Sequence, residues 1–324
     1  MHAAKTIYHS PEGAQTLETV FDNVFWAGCA PRLSIVIPSY RHDASNLIDQ
    51  LARCVASPLA EIIVYDDGSR DHSLLASMQE AASSARAAVR IVSCPVNRGR
   101  AAARNAAIAH ARAAWILLLD ADMAPESANF IETYLEAEEK IDHPALVVGG
   151  YSLRFAQKNS QVALHRWQAE TSECVPAEVR RKAPGRYVFS ANVMVHREVL
   201  ESRPFDERFE GWGWEDTDWG LRAEQAFPIM HIDNPATHLG LDDDKSLMAK
   251  YAKSGENFAR MAANHPEQAA EMPLYKAAIG FKRWPLLKLF RAIAGGLAAV
   301  HLLPTGLRGR FLKVWRAMVY AEAL

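Results

Sequence analysis

Few cysteines, little net charge and the absence of long apolar runs limit what this 324-residue chain can be. Its four cysteines include no Cys-x-x-Cys pair, which argues against a zinc knuckle or a disulfide framework and favours a reducing, cytoplasmic compartment. A formal net charge of −2 gives no overall reason to expect a nucleic-acid partner. Residues 1–20 lack the pattern of a signal peptide, and no stretch reaches the roughly 20 apolar residues that cross a bilayer.

The chain does contain short apolar segments separated by helical patterns. Four of these segments predict buried strands, at 33–37, 61–65, 89–92 and 115–119. Helical spacing between them completes βαβ units, and right-handed crossovers would assemble these units into a doubly wound, mostly parallel α/β sheet. Residues 1–32 are expected to form a lead that contains one short helix near 15–25.

Two carboxylates, Asp120 and Asp122, follow the last of these strands at a spacing of i, i+2. In extended chain such residues point to the same side, so both can converge on one cation at the carboxyl edge of the sheet, where open α/β sheets bind ligands. Carboxylate oxygens suit Mg²⁺ or Mn²⁺. The alternative is an Asp-rich turn that ends the strand and caps a helix beginning at Pro125.

Two further loops are expected at the same edge of the sheet. In one, Asp66 or Asp67 can accept a hydrogen bond from the imide N–H of a uracil, and Gly68 permits close backbone approach. A solvated Asp-Gly turn is the alternative. In the other, a helix begins after the third strand with arginines that can face a diphosphate: Arg98, Arg100 and Arg104. For Arg100 alone, a solvated basic helix face is the better interpretation.

Four motifs together resemble family 2 glycosyltransferases of the GT-A fold. They are, in order, Ile35-Val36-Ile37-Pro38-Ser39-Tyr40, Val64-Tyr65-Asp66-Asp67-Gly68-Ser69, Asn97-Arg98-Gly99 with Ala103-Arg104-Asn105, and Leu118-Leu119-Asp120-Ala121-Asp122. The resemblance implies a nucleotide-sugar donor, favoured as UDP-linked, a divalent cation held through Asp-x-Asp, and transfer with inversion. It also favours Asp67 over Asp66 for the base contact. The implied donor-nucleotide residues are Pro38, Ser39, Tyr40, Asp66, Asp67, Arg98, Arg104, Asp120 and Ala121.

Glycines, tryptophans and carboxylates are concentrated at 211–219. Glycines let the backbone approach a sugar, tryptophans offer flat apolar faces, and the carboxylates begin a helix predicted over 215–225. Inverting transfer needs one carboxylate that takes the proton from the attacking acceptor hydroxyl. The alternative is an acidic helix N-terminus stabilised by the helix dipole, with the tryptophans in the core.

The same segment resembles the Gly-Trp-Gly-Gly-Glu-Asp segment of family 2 enzymes and of related galactosyl- and N-acetylgalactosaminyltransferases. By position, this resemblance makes Asp216 the catalytic base and Glu215 the neighbour that binds or orients the acceptor. Trp212, Gly213 and Trp214 complete the expected contacts with the acceptor or the donor sugar. Because Trp214 stands where the family often has a second glycine, it is expected to narrow the acceptor pocket or to supply a stacking surface.

A histidine just past a predicted strand can complete the coordination of the metal, and imidazole with carboxylates suits Mn²⁺ better than Ca²⁺. Resemblance to GT-A enzymes favours His238 over His231 as the ligand that joins Asp120 and Asp122. The alternative is a loop histidine bonded to backbone. The segment 151–186 has no strong period and is expected to be a loop that closes over the donor.

The last part of the chain, 242–324, is predicted to be a helical, basic and amphipathic extension. Residues 277–324 contain eight Lys or Arg side chains and one Glu, a net charge of +7. Such a segment is typical of a helix that lies on an anionic membrane surface, which would make a lipid-linked glycan a natural acceptor. The alternative is a pair of helices packed on the rest of the protein or on a partner.

The sequence therefore predicts a cytoplasmic hexosyl- or N-acetylhexosaminyltransferase of polysaccharide biosynthesis, peripheral at the inner face of the membrane. Its expected GT-A domain, 33–241, divides into a nucleotide-binding half, 33–123, and an acceptor half, 124–241. One alternative is a nucleotidyltransferase that makes the sugar nucleotide, but 37–41 lacks the Gly-rich, basic phosphate loop that such an enzyme needs. The other is a non-catalytic subunit that binds a nucleotide or a carbohydrate.

Overall fold

The computed structural model of the protein describes residues 4–9 and 15–324. Its main sheet has nine strands: β1 (Ala4–His9), β2 (Gln15–Asp22), β3 (Leu33–Ser39), β4 (Ala60–Asp67), β5 (Ala88–Cys94), β6 (Trp115–Leu119), β8 (Leu146–Val148), β10 (Asn192–His196) and β11 (Ile229–His231). A small second sheet contains β7 (Met123–Pro125), β9 (Tyr151–Ser152) and β12 (Ala236–His238). The order of the main sheet is β1-β2-β5-β4-β3-β6-β10-β8-β11, in which β5, β4, β3 and β6 are parallel and the strands beside them are antiparallel.

Helices cover both faces of this sheet. In chain order they are α1 (Ser45–Ala52), α2 (His72–Ser84), α3 (Arg100–Ile108), α4 (Phe130–Glu138), α5 (Ala163–Ser172), α6 (Ala177–Arg180), α7 (Arg197–Ser202), α8 (Glu215–Glu224), α9 (Asp244–Lys253), α10 (Gly255–Asn264), α11 (Pro266–Glu271), α12 (Pro273–Phe281), α13 (Leu287–Ala299) and α14 (Thr305–Ala323). Short 3₁₀ turns lie at Ser57–Leu59 and Gly185–Tyr187.

The central strands are continuous apolar runs because both of their faces are buried. Along β6, Leu117 and Leu119 enter one hydrophobic core, whereas Ile116 and Leu118 enter the core on the opposite face of the sheet. All five residues of the strand are buried. The predicted α/β class with a doubly wound sheet is confirmed, and the carboxyl end of β6 brings the Asp120 segment to the middle of the sheet edge.

Two expectations for irregular segments are wrong. The region 15–25 begins with strand β2 instead of a helix, because Thr19 and Val20 favour extended backbone and β5 offers an open edge for antiparallel pairing. The region 151–186 is not one loop, since it contains α5 and α6. Leu164 on α5 is fully buried against the C-terminal helices, and that long-range packing cannot be seen in the local pattern.

The predicted helical extension is present, and its last helix packs onto the rest of the protein. Tyr320 on α14 stacks on Phe258 of α10, with ring centroids 4.6 Å apart, and Leu312 joins a cluster with Leu164 and Leu247. Among the residues that the structure describes, no helix is both long enough and apolar enough to span a bilayer.

Candidate active site

The loops that follow β3, β4 and β6 meet at one edge of the sheet. Register pairing sets Pro38 beside Tyr65 and Ser39 beside Asp66, so the first two predicted donor segments are neighbours. The Ser39 hydroxyl donates to the carbonyl oxygen of His42 at 2.7 Å, which leaves the ring of Tyr40 half exposed at the rim. The first two predicted donor segments therefore lie side by side at this edge, and their contact with a donor stays a prediction.

The two carboxylates at the end of β4 are buried and already accept hydrogen bonds. Asp67 accepts from the backbone N–H groups of Arg98 at 2.9 Å and Gly99 at 3.1 Å. Burial raises the pKa of Asp67 and these two bonds lower it, with a net upward shift. Asp66 accepts from Ser69 N and Ser93 Oγ, each at 3.2 Å. Asp67 thus holds the 97–99 loop, and its contact with a base remains a prediction.

The three arginines separate into two groups. Arg98 lies against β2, with Nη2 at 3.6 Å from Glu18 Oε1. Arg104 is almost fully buried, and its Nη2 lies 2.9 Å from Asp120 Oδ1. Arg100 bonds Glu215 Oε1 through Nε at 2.8 Å and approaches Asp120 Oδ2 at 3.3 Å. The Arg100 side chain is 39% exposed, as expected for a solvated helix face, but it is also paired with Asp120 and with Glu215 at the start of α8.

Four charged side chains therefore form one network between β6 and α8. Arg104 Nη1 also lies 3.6 Å from Glu215 Oε1, so both arginines touch both carboxylates. Nε and Nη1 of Arg104 are buried without a hydrogen-bond partner among the described residues. Such donors are suited to phosphate oxygens. The spacing of four between Arg100 and Arg104, which sets both side chains on one helix face, is a sequence signal that could have identified this pair.

Asp122 and His238 are brought together by the small second sheet. Antiparallel pairing of β7 with β12 sets His238 beside Met123, and His238 Nε2 lies 3.2 Å from Asp122 Oδ2. Burial raises the pKa of Asp122, but the hydrogen bond and the charge of His238 outweigh it and lower that pKa to about 2. Burial lowers the pKa of His238, whereas Asp122 raises it, and the net shift is upward.

These two side chains fit a divalent cation. One carboxylate and one imidazole are a ligand set for Mn²⁺, and the carboxylate is ionised at neutral pH. Gly240 allows the Asp122 carboxylate to pack closely against the backbone, because a Cβ built there would overlap Asp122 Oδ2. The predicted third ligand, Asp120, is directed to Arg100 and Arg104 instead. Within residues 4–9 and 15–324, no three His, Cys, Asp or Glu side chains are grouped as a metal site.

A second histidine, His165, supports this pair and was not foreseen in the sequence. Its ring lies edge-on to that of His238, with centroids 5.8 Å apart, and its Nδ1 accepts the backbone N–H of Asp242 at 2.8 Å. Burial, followed by the charge of His238, lowers the pKa of His165 to about 4. A neutral ring at this position orients His238 without adding charge.

Asp216 lies in the first turn of α8. Its Oδ2 accepts the backbone N–H of Ser190 at 3.1 Å, and Oδ1 is buried without a hydrogen-bond partner in the described part of the chain. Burial raises the pKa of Asp216, Arg104 lowers it, and the charges of Glu215 and Asp120 raise it, to about 6 in all. A carboxylate with this pKa and one free oxygen is suited to accept a proton near neutral pH.

The tryptophans before this helix are directed to the C-terminal helices. Trp214, in left-handed backbone at φ 76°, donates from Nε1 to the hydroxyl of Tyr320 at 3.2 Å and packs on Phe258 at 4.7 Å between centroids. Trp212 packs edge-on to Tyr251 at 5.4 Å. The expectation that Trp214 narrows the acceptor pocket is therefore not supported by its contacts, which anchor the 211–216 loop. The carbonyl of Gly213 completes this anchor by accepting from Asn257 Nδ2 at 3.0 Å.

Comparison with known proteins adds a family and a fold. The family described as Glycosyl transferase family 2 matches residues 34–203, a stretch that contains the donor loops but neither Glu215, Asp216 nor His238. The succinoglycan biosynthesis protein ExoU of Rhizobium meliloti (strain 1021) is 46% identical over 84 residues, 24% of this chain and 24% of that protein. The chain thus matches about a quarter of the length of this curated relative.

Two solved structures resemble the whole fold. One is the mannosyltransferase PcManGT from Pyrobaculum calidifontis in complex with GDP-Man and Mn²⁺, with a TM-score of 0.52 and 16% identity over 90% of this chain and 86% of that chain. The other is glucosyl-3-phosphoglycerate synthase from Mycobacterium tuberculosis in complex with Mg²⁺ and UDP. It has a TM-score of 0.52 and 18% sequence identity, and the match covers 72% of this chain and 79% of that chain. At these identities the likeness shows the fold, and the predicted GT-A architecture is confirmed.

Proposed function

The chain belongs to glycosyl transferase family 2, and on that premise we propose that it is an inverting, cation-dependent glycosyltransferase. The donor would be a nucleotide sugar, UDP-linked by preference, and the group moved a hexosyl or N-acetylhexosaminyl residue. The family assignment supports glycosyl transfer over nucleotidyl transfer.

One contact network carries this proposal. Arg100 and Arg104 join Asp120, which follows β6, to Glu215, which begins α8. The two carboxylates come from the segments that we assign to the donor and to the acceptor, so both substrates would meet at one pair of guanidinium groups. Because arginines bind phosphates with two parallel hydrogen bonds, a donor diphosphate would attract both and release Asp120 and Glu215.

The proposed reaction is a direct displacement in which Asp216 is the base. The acceptor hydroxyl oxygen forms a bond to the anomeric carbon while the bond from that carbon to the phosphate oxygen breaks. The electron pair leaves with the nucleoside diphosphate, and the hydroxyl proton passes to the free Oδ1 of Asp216. Glu215, once released by Arg100, would hold the acceptor in line. Only one base is needed, since no covalent intermediate forms.

Asp122 and His238 are the residues that we propose as protein ligands of the cation, with Asp120 as a third once the arginines turn to the diphosphate. A divalent cation bound there would stabilise the negative charge that develops on the leaving diphosphate. Their contact of 3.2 Å and the depressed pKa of Asp122 support this assignment.

The acceptor is proposed to be a growing glycan, free or lipid-linked. The similarity to a protein named for succinoglycan biosynthesis supports a role in polysaccharide synthesis, although it covers 84 residues. We further propose that the enzyme works in the cytoplasm at the inner face of the membrane, as expected for a lipid-linked acceptor.

The test begins with nucleotide binding. UDP, GDP, CMP and dTDP are each added with Mn²⁺, with Mg²⁺ or with EDTA, and melting temperature and binding heat are measured. We expect one nucleotide to raise the melting temperature by several degrees only with metal, since ligand at about 100 Kd adds about 2.7 kcal/mol of stability. Asp122→Ala should abolish this shift, whereas Asp142→Ala, at a fully exposed carboxylate, should retain it.

Products are then sought by mass spectrometry with the matching nucleotide sugars and a panel of oligosaccharide acceptors. A new glycosidic product that requires metal and Asp216 supports the proposal. If no nucleotide binds with metal, the donor assignment is wrong. If a nucleotide binds but no donor and acceptor pair gives product or free nucleotide, the non-catalytic binding subunit is the better description.

A further inference from the structure

Helix α13 is apolar on the side that faces solvent. Leu286, Leu289, Phe290 and Ile293 recur at i, i+3, i+4 and i+7, and they are 67%, 53%, 41% and 50% exposed. Leu302, just beyond the helix, is 96% exposed. We call Leu286, Leu289, Phe290 and Ile293 the outer face. Large apolar side chains clustered in water usually mark an interaction surface.

The opposite side of α13 is made of small residues packed on α14. Ala294, Gly295 and Ala298 are buried, and a Cβ built on Gly295 would lie 2.9 Å from the Trp315 ring. A helix that serves only the protein core places its large apolar residues inward. In α13, Leu287 packs against a core cluster, but Leu289, Phe290 and Ile293 face solvent, so folding of the chain alone does not account for the outer face.

The charges around the outer face are positive. Arg283 and Lys288 are exposed and, among the described residues, neither has an ion pair. The single carboxylate in 277–324, Glu322, is paired with Arg291 on α13. An apolar helix face bordered by exposed cations is complementary to an anionic bilayer. A second copy of the chain would bring the same positive charges together, which disfavours self-association through this surface.

We infer that the outer face of α13 lies on an anionic lipid bilayer, with its apolar side chains among the lipid chains and Arg283 and Lys288 at the headgroups. Helix α14 connects this surface to the 211–216 loop, which precedes the proposed base Asp216. It packs on α13 through Trp315, and it contacts Trp214 through Tyr320 and Arg316. The bound enzyme would therefore hold its acceptor site in a defined orientation to the membrane. This inference deepens the proposed function by favouring a lipid-linked acceptor.

The test is sedimentation of the full-length protein with vesicles of phosphatidylcholine containing roughly one third phosphatidylglycerol, because anionic headgroups supply the expected charge. No donor or acceptor is present, so failure here is distinct from failure of the glycosyl transfer proposal. The variant Leu289→Ser/Phe290→Ser/Ile293→Ser should reduce the partition coefficient at least about tenfold. Arg283→Gln/Lys288→Gln should weaken binding severalfold and reduce its salt dependence.

Two controls keep the result specific. Val24→Ser/Val55→Ser/Leu59→Ser removes comparably exposed apolar residues elsewhere, and Arg86→Gln/Lys140→Gln removes exposed cations elsewhere. Both controls should bind vesicles like wild type, and all variants should keep the wild-type circular dichroism and melting temperature. Failure of the wild type to bind the anionic vesicles, or equal loss in the controls, overturns the inference. Light scattering that shows a dimer dissociated by the α13 variant assigns the face to a second copy instead.

Discussion

Replacing Asp216 by Asn should remove the proposed catalytic base while leaving the fold intact. An asparagine oxygen can still accept the N–H of Ser190, which now bonds Asp216 Oδ2 at 3.1 Å, but the amide cannot accept a proton from an acceptor hydroxyl. The free energy of unfolding should change by less than about 3 kcal/mol, the upper range for one buried group left unpaired. Nucleotide binding with metal should be retained.

The expected loss of activity follows from the role of a general base. Such groups contribute about 10² to 10⁴ in rate, so kcat of Asp216→Asn should fall about a thousandfold, equivalent to about 4 kcal/mol in the barrier. Wild-type kcat should also depend on pH. Because burial raises the pKa of Asp216 to about 6, the base is protonated below that pH, and activity should decrease about tenfold for each further unit. The variant should lack this acid limb.

The assay measures transfer of radiolabelled sugar from saturating donor between about pH 5 and pH 8, across the expected titration. Asp142→Asn, at a fully exposed carboxylate, is the matched control and should behave as wild type. Retention of more than about a tenth of wild-type kcat in Asp216→Asn, or of the acid limb, would show that another group takes the proton.

Three further substitutions test the surroundings of the site. Arg100→Ala should raise the KM for the donor about tenfold or more, since a hydrogen bond to a charged group contributes about 1.5–3 kcal/mol, whereas Arg86→Ala should leave KM unchanged. Tyr320→Phe removes the hydroxyl that Trp214 Nε1 and Ser254 Oγ contact. Because this hydroxyl anchors the 211–216 loop, the KM for the acceptor should rise more than the KM for the donor. Equal changes in the two KM values would contradict the anchoring role. Asp218→Asn breaks buried bonds to His265 at 3.0 Å and Arg222 at 2.8 Å, and urea unfolding should detect a loss of about 3–5 kcal/mol. Burial raises the pKa of Asp218, but its hydrogen bonds lower the pKa by more. The contribution of Asp218 to the free energy of unfolding should therefore be complete above the ordinary pKa of 3.8, and it should disappear as the pH falls through the lower folded pKa. Unchanged stability in the variant would refute this role.

The sequence pattern predicted those strands whose formation depends on the residues of the strand itself. The apolar runs at 33–37 and 115–119 specify strands, because a strand buried on both faces needs no polar alternation. The N-terminal strand β2 was missed since its pairing with β5, a partner about 70 residues away in the chain, decides its conformation. Helices α5 and α6 were missed for the same reason, because their stabilising contacts come from distant elements.

The chemistry of the candidate site was visible in the sequence, but its geometry was not. Residue types and spacing pointed to Asp122 as a metal ligand at the carboxyl edge of the sheet, whereas the resemblance to family 2 and GT-A enzymes singled out Asp216 and His238. Only the tertiary structure decided which side chains meet. Pairing of β7 with β12 brings His238 to Asp122. The position of α8 allows Arg100, on α3, to pair with both Asp120 and Glu215. Packing of α14 likewise directs Trp214 toward Tyr320, because contacts between residues about a hundred positions apart depend on the whole fold and leave no local pattern.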